Sequence, residues 1–224
     1  MIKILDETTK YPLQKIGKMA GICWNSPIDD TGKNIKRAKD CILSGHGRVL
    51  EFVDIEMCIS EYSARCIREY YTHIGGSPTR LQESTRYVDC ENFNYFIPKS
   101  ILNYGMEALE PYGNVMMMIQ DTYKKLSELN IPKEDIANIL PLGMYTKIVD
   151  KRNLRNLINL MNQRLCSRAY SEIRTLANEI KSELSKYSDE WKWICDNLFV
   201  PKCEVTGFCI ENKCCGRKPR KDSL

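Results

Sequence analysis

"NLRNLINLMNQRLCSRAYSEIRTLANEIKSEL", residues 153–184, sets the frame for reading this chain. Leu154, Leu157, Ile158, Met161, Leu165, Ala169, Ile173, Leu176, Ile180 and Leu184 recur at spacings of three or four. At ~100° per residue these positions fall in one stripe, which predicts a single long amphipathic helix over 153–184. Polar residues flank the stripe. Arg155, Asn159 and Asn162 fall within roughly 60° of one another along one edge, and Asn153, Arg164 and Arg168 border the other. Arginines beside an apolar stripe are ordinarily a solvated shoulder. Amides mixed with guanidiniums in that position also suit an anion or a heterocycle, because both groups donate in fixed planar directions.

Working outward, "SDEWKWICDNLF" (188–199) reads as a last helix with Ser188 as its N-cap. Upstream, residues 11–23 and 32–44 read as helices separated by "WNSPIDD". "LEFVDIEMCIS" (50–60) alternates and predicts a strand. "EYSARCIREYYTH" (61–73) reads as a helix stopped by Gly75, Gly76 and Pro78. Residues 105–129 form a long helical pattern, and Pro132 opens a short helix through Ile139. "LPLGMYTKIV" (140–149) reads as loop then strand, and "CGRKPRKDSL" (215–224) as a basic, frayed end. There is no internal repeat. The expected organisation is one mixed α/β domain over 1–200 and a cysteine-rich basic tail over 201–224.

The chain's 224 residues suit one domain or at most two, with a core large enough to need no staples. With 33 basic and 29 acidic residues the net charge is +4, too slight to argue for a nucleic-acid polymer as partner but compatible with a local pocket for a small anion. No run of 18 apolar residues exists, so no membrane span is expected. "MIKILDETTKYPLQKIGKM" lacks a signal-peptide core, and a cytoplasmic location follows as the expectation.

Eleven cysteines divide into two groups. Cys23, Cys41, Cys58, Cys66, Cys90 and Cys166 are scattered, the pattern of reduced thiols used as small hydrophobes. Cys195, Cys203, Cys209, Cys214 and Cys215 crowd the tail. The odd total argues against a disulfide framework. A zinc site there stays open, but the spacing is not the paired C-x-x-C pattern, and with two histidines, His46 and His73, a histidine-rich metal centre is excluded.

No Gly-rich dinucleotide fingerprint, P-loop, G-x-S-x-G or H-E-x-x-H occurs. Two stretches carry other chemistry. His46 follows Gly45 where a helix ends, and reads either as part of a C-cap or as a site residue. "YYTHIGGSPTRLQESTRYV" (70–88) reads either as a polar surface loop or as an anion clamp. In the second reading Arg80 and Arg86 grip a phosphate, Ser84 adds a hydroxyl, and the glycines let backbone N–H groups approach.

Three segments in order resemble the flavin-dependent thymidylate synthases. "SGHGRVLEF" (44–52) is similar to S-G-H-x-S-x-x-E-H. "SARCIREYYTHIGGSPTRLQESTRYV" (63–88) is similar to the signature R-H-R-x-x-S-x-N-E-x-S-x-R-Y. "ILPLGMYTKIVDKRNLRNLINLMNQRLCSRAYSEIR" (139–174) resembles V-L-P-x-x-x-Y-T, N-x-R-S-L-x-N-F-L-x-L-R and A-Q-x-E-I-R without a gap.

The resemblance implies a mixed, mainly antiparallel twisted sheet flanked by long helices. It implies an enzyme that methylates dUMP to dTMP with FAD, methylene-tetrahydrofolate and NAD(P)H, without a protein nucleophile. It also implies a homotetramer with sites between subunits. Residue by residue, His46, Glu51, His73, Asn153, Arg155 and Asn159 are implied at the flavin. Gln82, Ser84, Arg86, Tyr87 and Arg164 are implied at the nucleotide, Gln82 standing where the family has glutamate. The R-H-R triplet is absent, its counterpart being Thr72-His73-Ile74 or Glu69-Tyr70-Tyr71. Ala137 replaces a nucleotide-contacting arginine, and Phe52 replaces the last histidine of the first motif. These departures leave two alternatives: a flavin enzyme for another pyrimidine nucleotide, or a non-catalytic nucleotide- or flavin-binding paralogue.

Overall fold

A computed structural model describes residues 1–223. The chain runs β1 (Ile2–Ile4), α1 (Pro12–Cys23), α2 (Thr31–Leu43), a 3-10 turn (Gly47–Phe52), β2 (Asp54–Ser63), α3 (Ala64–Tyr70) and β3 (Thr79–Gln82). It continues through α4 (Lys99–Tyr104), α5 (Met106–Glu128), α6 (Lys133–Ile136), β4 (Tyr145–Asn153), α7 (Leu154–Arg164), α8 (Ser171–Tyr187), α9 (Asp189–Leu198) and α10 (Lys202–Thr206). The four strands form one antiparallel sheet in the order β1-β2-β4-β3, so the expected mixed α/β class holds. The residues group into two compact units that interleave along the chain. The first holds Met1–Cys58, Tyr71–Arg80 and the chain from Val149 onward, residues 201–223 included; the second holds Ile59–Tyr70 and Leu81–Ile148.

In the first unit α1 opens with Pro12, whose fixed φ and missing N–H suit a helix start. The next two N–H groups, of Leu13 and Gln14, donate to Glu190 Oε2 of α9 at 2.7 and 3.1 Å, a carboxylate placed where orphan donors and the helix dipole favour it. Gly17 is required by packing: a Cβ there would lie 1.8 Å from the Asn34 carbonyl of α2. α9 starts as its sequence predicts, with Ser188 Oγ accepting from Trp191 N–H at 3.2 Å. Leu13, Ile16, Leu157, Met161, Ile173, Leu176, Ile180, Leu184, Trp191 and Ile194 are all buried.

In the second unit α5 packs Met116 and Tyr123 against Cys90, Phe93, Ile136 and Met144. The helix expected at 105–129 is present within a residue at each end.

Four expectations need correction. The single helix over 153–184 is two, because α7 ends at Arg164 and α8 starts at Ser171. The break preserves the four-residue step from Leu165 to Ala169 to Ile173, so apolar spacing passes through it unchanged. Arg174 Nη1 takes the Ser167 and Ala169 carbonyls at 2.8 and 3.4 Å, satisfying groups that a continuous helix would have bonded. Asn153 closes β4 and caps α7 rather than starting a helix. The helix expected over 61–73 covers only Ala64–Tyr70, since β2 extends to Ser63 past Glu61 at φ +62°, where the in-out alternation breaks and Tyr62 and Ser63 are both buried. The end is not frayed through Ser223: Cys209 N–H bonds the Pro219 carbonyl at 2.7 Å and Lys221 N–H bonds the Cys209 carbonyl at 3.0 Å.

Candidate functional site

β4 alternates as a half-buried strand, with Thr146, Ile148, Asp150 and Arg152 inward and Lys147, Val149 and Lys151 outward. The inward face therefore carries a charge pair. Arg152 donates through Nε and Nη2 to Asp150 Oδ2 and Oδ1 at 2.6 and 2.8 Å, with both side chains fully buried. Arg152 Nη1 also donates to Asn156 Oδ1 at 2.8 Å. Arg80 adds a second cation, its Nε 3.3 Å from Asp150 Oδ1. Its Nη1 and Nη2 hold the Tyr71 and His73 carbonyls at 3.1 and 2.9 Å, and its guanidinium lies 4.7 Å over the Tyr71 ring. Asn156 Nδ2 donates to the carbonyls of His73 and Gly75. Buried charges persist only when paired and hydrogen-bonded, and here the pairing fixes residues 71–80 against the start of α7.

His73 is buried, and its Nε2 accepts from Arg164 Nε at 2.9 Å. Burial first, then the cations of Arg164, Arg152 and Arg80, push its pKa down to about 4. The imidazole is therefore neutral near pH 7, as its acceptor role requires.

The pinned loop and the start of α7 enclose a cleft of ≈ 210 Å³ lined by Glu51, Gly75, Gly76, Asn153, Arg155, Asn156 and Asn159. Asn153 Oδ1 accepts from Asn156 N–H at 2.9 Å, capping α7. Arg155 Nη1 donates to Glu51 Oε1 at 2.6 Å in an exposed pair. Gly76 sits at φ +78°, and a Cβ there would lie 2.6 Å from Asn153 Nδ2, so both backbone and space demand glycine. The walls offer amides, a guanidinium, a carboxylate and bare backbone: a donor and acceptor set for a polar planar group.

The profile of the thymidylate synthase complementing protein family matches residues 3–188. The chain belongs to this family. Among its relatives is the flavin-dependent thymidylate synthase of Pyrococcus furiosus, 33% identical over 185 residues, covering 79% of this chain and 75% of that protein. The one from Clostridium tetani is 29% identical over 243 residues, covering 96% of this chain and 93% of its own. The one from Nitratidesulfovibrio vulgaris is 28% identical over 194 residues, covering 81% of this chain and 75% of its own.

Of the residues that the family resemblance points to at the flavin, Glu51, Asn153, Arg155 and Asn159 line the cleft together. His46 does not. It is exposed beside a separate apolar cleft of ≈ 310 Å³ with Met19, Ala20, Trp24, Val49 and Phe52. His73 lies beneath the loop with its ring occupied by Arg164. Gln82, Ser84, Arg86 and Tyr87, matched to the family's nucleotide residues, lie in the second unit. Gln82 Nε2 donates to Thr146 Oγ1 at 3.3 Å, and Ser84 Oγ accepts from Arg86 N–H at 3.4 Å. Arg86 Nε meets Glu134 Oε2 at 2.8 Å, and Tyr87 is 78% exposed. Arg164 lies in the first unit, half-buried between His73 and a third cleft described below.

The phosphate clamp read into Arg80 is corrected: its side chain is 11% exposed, it forms an ion pair with Asp150, and its Nη1 and Nη2 donate to the loop carbonyls. Asp150, Arg152 and Asn156 had no place in the sequence reading. The signal was present in the alternation of β4, which puts residues 150 and 152 on the face of Ile148. Among the described residues no group of three or more His, Cys, Asp and Glu is placed to hold a metal ion, and no helix is long and apolar enough to cross a membrane.

Proposed function

We propose that the protein is a flavin-dependent thymidylate synthase, an enzyme that methylates dUMP to dTMP with methylene-tetrahydrofolate as carbon donor and NAD(P)H as reductant. One observation carries the reading. Glu51, the double glycine 75–76, and Asn153, Arg155 and Asn159 come from the three separate motif segments, and they line a single cleft. That wall fits a flavin: its amides match polar ring edges, Arg155 matches anionic phosphate, and the glycines admit close approach. Bound FAD would supply the hydride chemistry. The chain's residues bind and orient. Arg155 exchanges its partner Glu51 for ligand oxygen, and the network around Arg152 keeps the glycine loop in place. Gln82, Ser84, Arg86, Tyr87 and Arg164 are proposed for the nucleotide. Arg86, 63% exposed and paired with exposed Glu134, can turn to a phosphate. No thiol is assigned as nucleophile; Cys66 and Cys90 are buried, and burial raises the Cys90 thiol.

A cleft of ≈ 210 Å³ falls below the roughly 300–1,000 Å³ that encloses a drug-sized ligand, so a dinucleotide needs further walls. A homotetramer with sites between subunits would supply them. Met106 and Met117, 72% and 53% exposed along one side of α5, support a covered face. The eleven free thiols fit a reducing compartment, and a cytoplasmic setting is part of the proposal. The test is anaerobic turnover with FAD, NADPH, methylene-tetrahydrofolate and a panel of pyrimidine nucleotides. The expected result is a flavin absorption band in the purified protein and dTMP from dUMP. Methylation of another nucleotide instead, or a protein that retains no flavin and makes no product, would overturn the reading.

A further inference from the structure

Five cysteines lie beyond the span matched by the family: Cys195, buried in α9, and then Cys203, Cys209, Cys214 and Cys215. Gly207 at φ +80° and Gly216 at φ +85° reverse the chain around the last four, in a conformation that glycine adopts without strain. The turn is tied on both sides. Cys209 N–H and carbonyl bond Pro219 and Lys221, while the Cys214 thiol donates to the Lys218 carbonyl at 3.3 Å and Gly216 N–H donates to Cys214 Sγ at 3.3 Å. Within that turn the Glu211 N–H pulls the Cys209 thiol pKa down, but burial and the neighbouring Cys214 and Cys203 thiols outweigh it and push it up. The turn closes a cleft of ≈ 390 Å³, which Ile210, Glu211 and Cys209 line on one side and Arg164, Cys166 and Arg168 on the other.

We propose that Cys209 and Cys214 are a reversible dithiol–disulfide couple that locks this turn over the cleft at the end of α7. Cys209 N–H is tied to Pro219 and the Cys214 thiol to the adjacent Lys218, which brings the two cysteines together beside one segment, and half-buried Cys214 is within reach of a small reagent. The oxidant is a low-molecular-weight disulfide. The Cys214 thiolate attacks one of its sulfurs, the S–S bond breaks, and the first thiolate leaves. The Cys209 thiol then loses its proton to solvent and attacks Cys214 Sγ, releasing the second. Two protein thiols are oxidised and one small disulfide is reduced to two thiols; excess small thiol runs the exchange backwards. Cys215 is a separate case, because the Ser167 hydroxyl and the Arg217 N–H hold its thiol below the usual range.

The full chain is equilibrated across ratios of oxidised to reduced glutathione, its free thiols are alkylated, and it is digested with trypsin. Cleavage after Lys213 makes the bond visible, since it joins peptide 203–213 to peptide 214–217. The joined peptide is expected to appear with oxidation and vanish on reduction. It should persist in Cys203→Ser and Cys215→Ser, and be lost in Cys209→Ser and Cys214→Ser, with unchanged thermal unfolding showing that each variant folds. No joined peptide at any ratio, its persistence in Cys209→Ser, or stoichiometric zinc that blocks alkylation of these thiols would overturn the proposal.

Discussion

Arg152 and Arg86 carry the same guanidinium in opposite circumstances. Arg152 is fully buried, with donors on Asp150 and Asn156. Arg86 is 63% exposed, and its ion pair is with a glutamate that is 54% exposed. Breaking a buried pair by removing one partner costs about 3–5 kcal/mol, whereas an exposed pair is worth about 0–1 kcal/mol. A charge that must exchange its protein partner for a ligand has to be of the second kind. The network of Arg152, Asp150, Arg80 and Asn156 is scaffold, and Arg86 and Arg155 are the groups available to bind.

The contrast breaks most easily at Arg152. Arg152→Met leaves Asp150 buried with Arg80 3.3 Å away as its remaining cation, and is expected to lower unfolding stability by about 3–5 kcal/mol. Denaturant titration measures it. Asp150→Leu combined with Arg152→Met should recover only part of the loss, because Asp150 is no longer stranded but Arg80, 11% exposed, then loses its carboxylate. A single variant as stable as the parent would mean that the pair is not structural.

His73 sharpens the same contrast through pH. Its folded pKa is about 4 against an ordinary 6.5, so between those values the unfolded chain binds a proton that the folded chain does not. Its contribution is thus fully present above about pH 6.5 and is lost progressively as pH falls toward 4. The full swing is about 3 kcal/mol, taking about 1.4 kcal/mol per pH unit. His73→Gln keeps an acceptor for Arg164 but does not titrate. Its urea midpoint should depend less steeply on pH in that window than the parent's; parallel curves would rule out His73 as the titrating group.

The helices, the alternation of β4 and the cap at Ser188 were legible because each is local. The break between α7 and α8 was not. Its length matches a helical step, and what stabilises it is a side chain, Arg174, reaching back to the Ser167 and Ala169 carbonyls. Glu51, Asn153, Arg155 and Asn159, named from separate motif segments, line one cleft. The segments could not reveal that His73 faces Arg164, or that Arg80 is spent on Asp150, because both facts depend on which partner lies across the fold. A basic residue in a polar loop reads alike whether it is buried or free.

At Arg86 the prediction moves from stability to binding. Lysine keeps the charge but loses the two-pronged donor geometry that fits a phosphate. Arg86→Lys should leave unfolding stability within about 1 kcal/mol, as for an exposed pair, and weaken dUMP binding by about 1.5–3 kcal/mol, as for a hydrogen bond to a charged partner. Calorimetry with dUMP decides it, and equal affinities would place the phosphate elsewhere.

The smallest stability effect is expected at Arg155, and that smallness is informative. Its side chain is 51% exposed and Glu51 is 40% exposed, so the 2.6 Å bond between them is largely solvated. Asn153, not Arg155, caps α7, so the helix keeps its first turn without the guanidinium. Arg155→Ala should therefore shift unfolding stability by no more than about 1 kcal/mol. Flavin content of the purified protein should nonetheless fall, because the cleft loses its guanidinium while its other walls, Glu51, the glycines and the asparagines, stay in place. Absorbance at the flavin band, normalised to protein, reads one effect and thermal unfolding reads the other. A variant that is destabilised and loses flavin together would make Arg155 part of the scaffold, and one that keeps its flavin at unchanged stability would remove it from the binding wall.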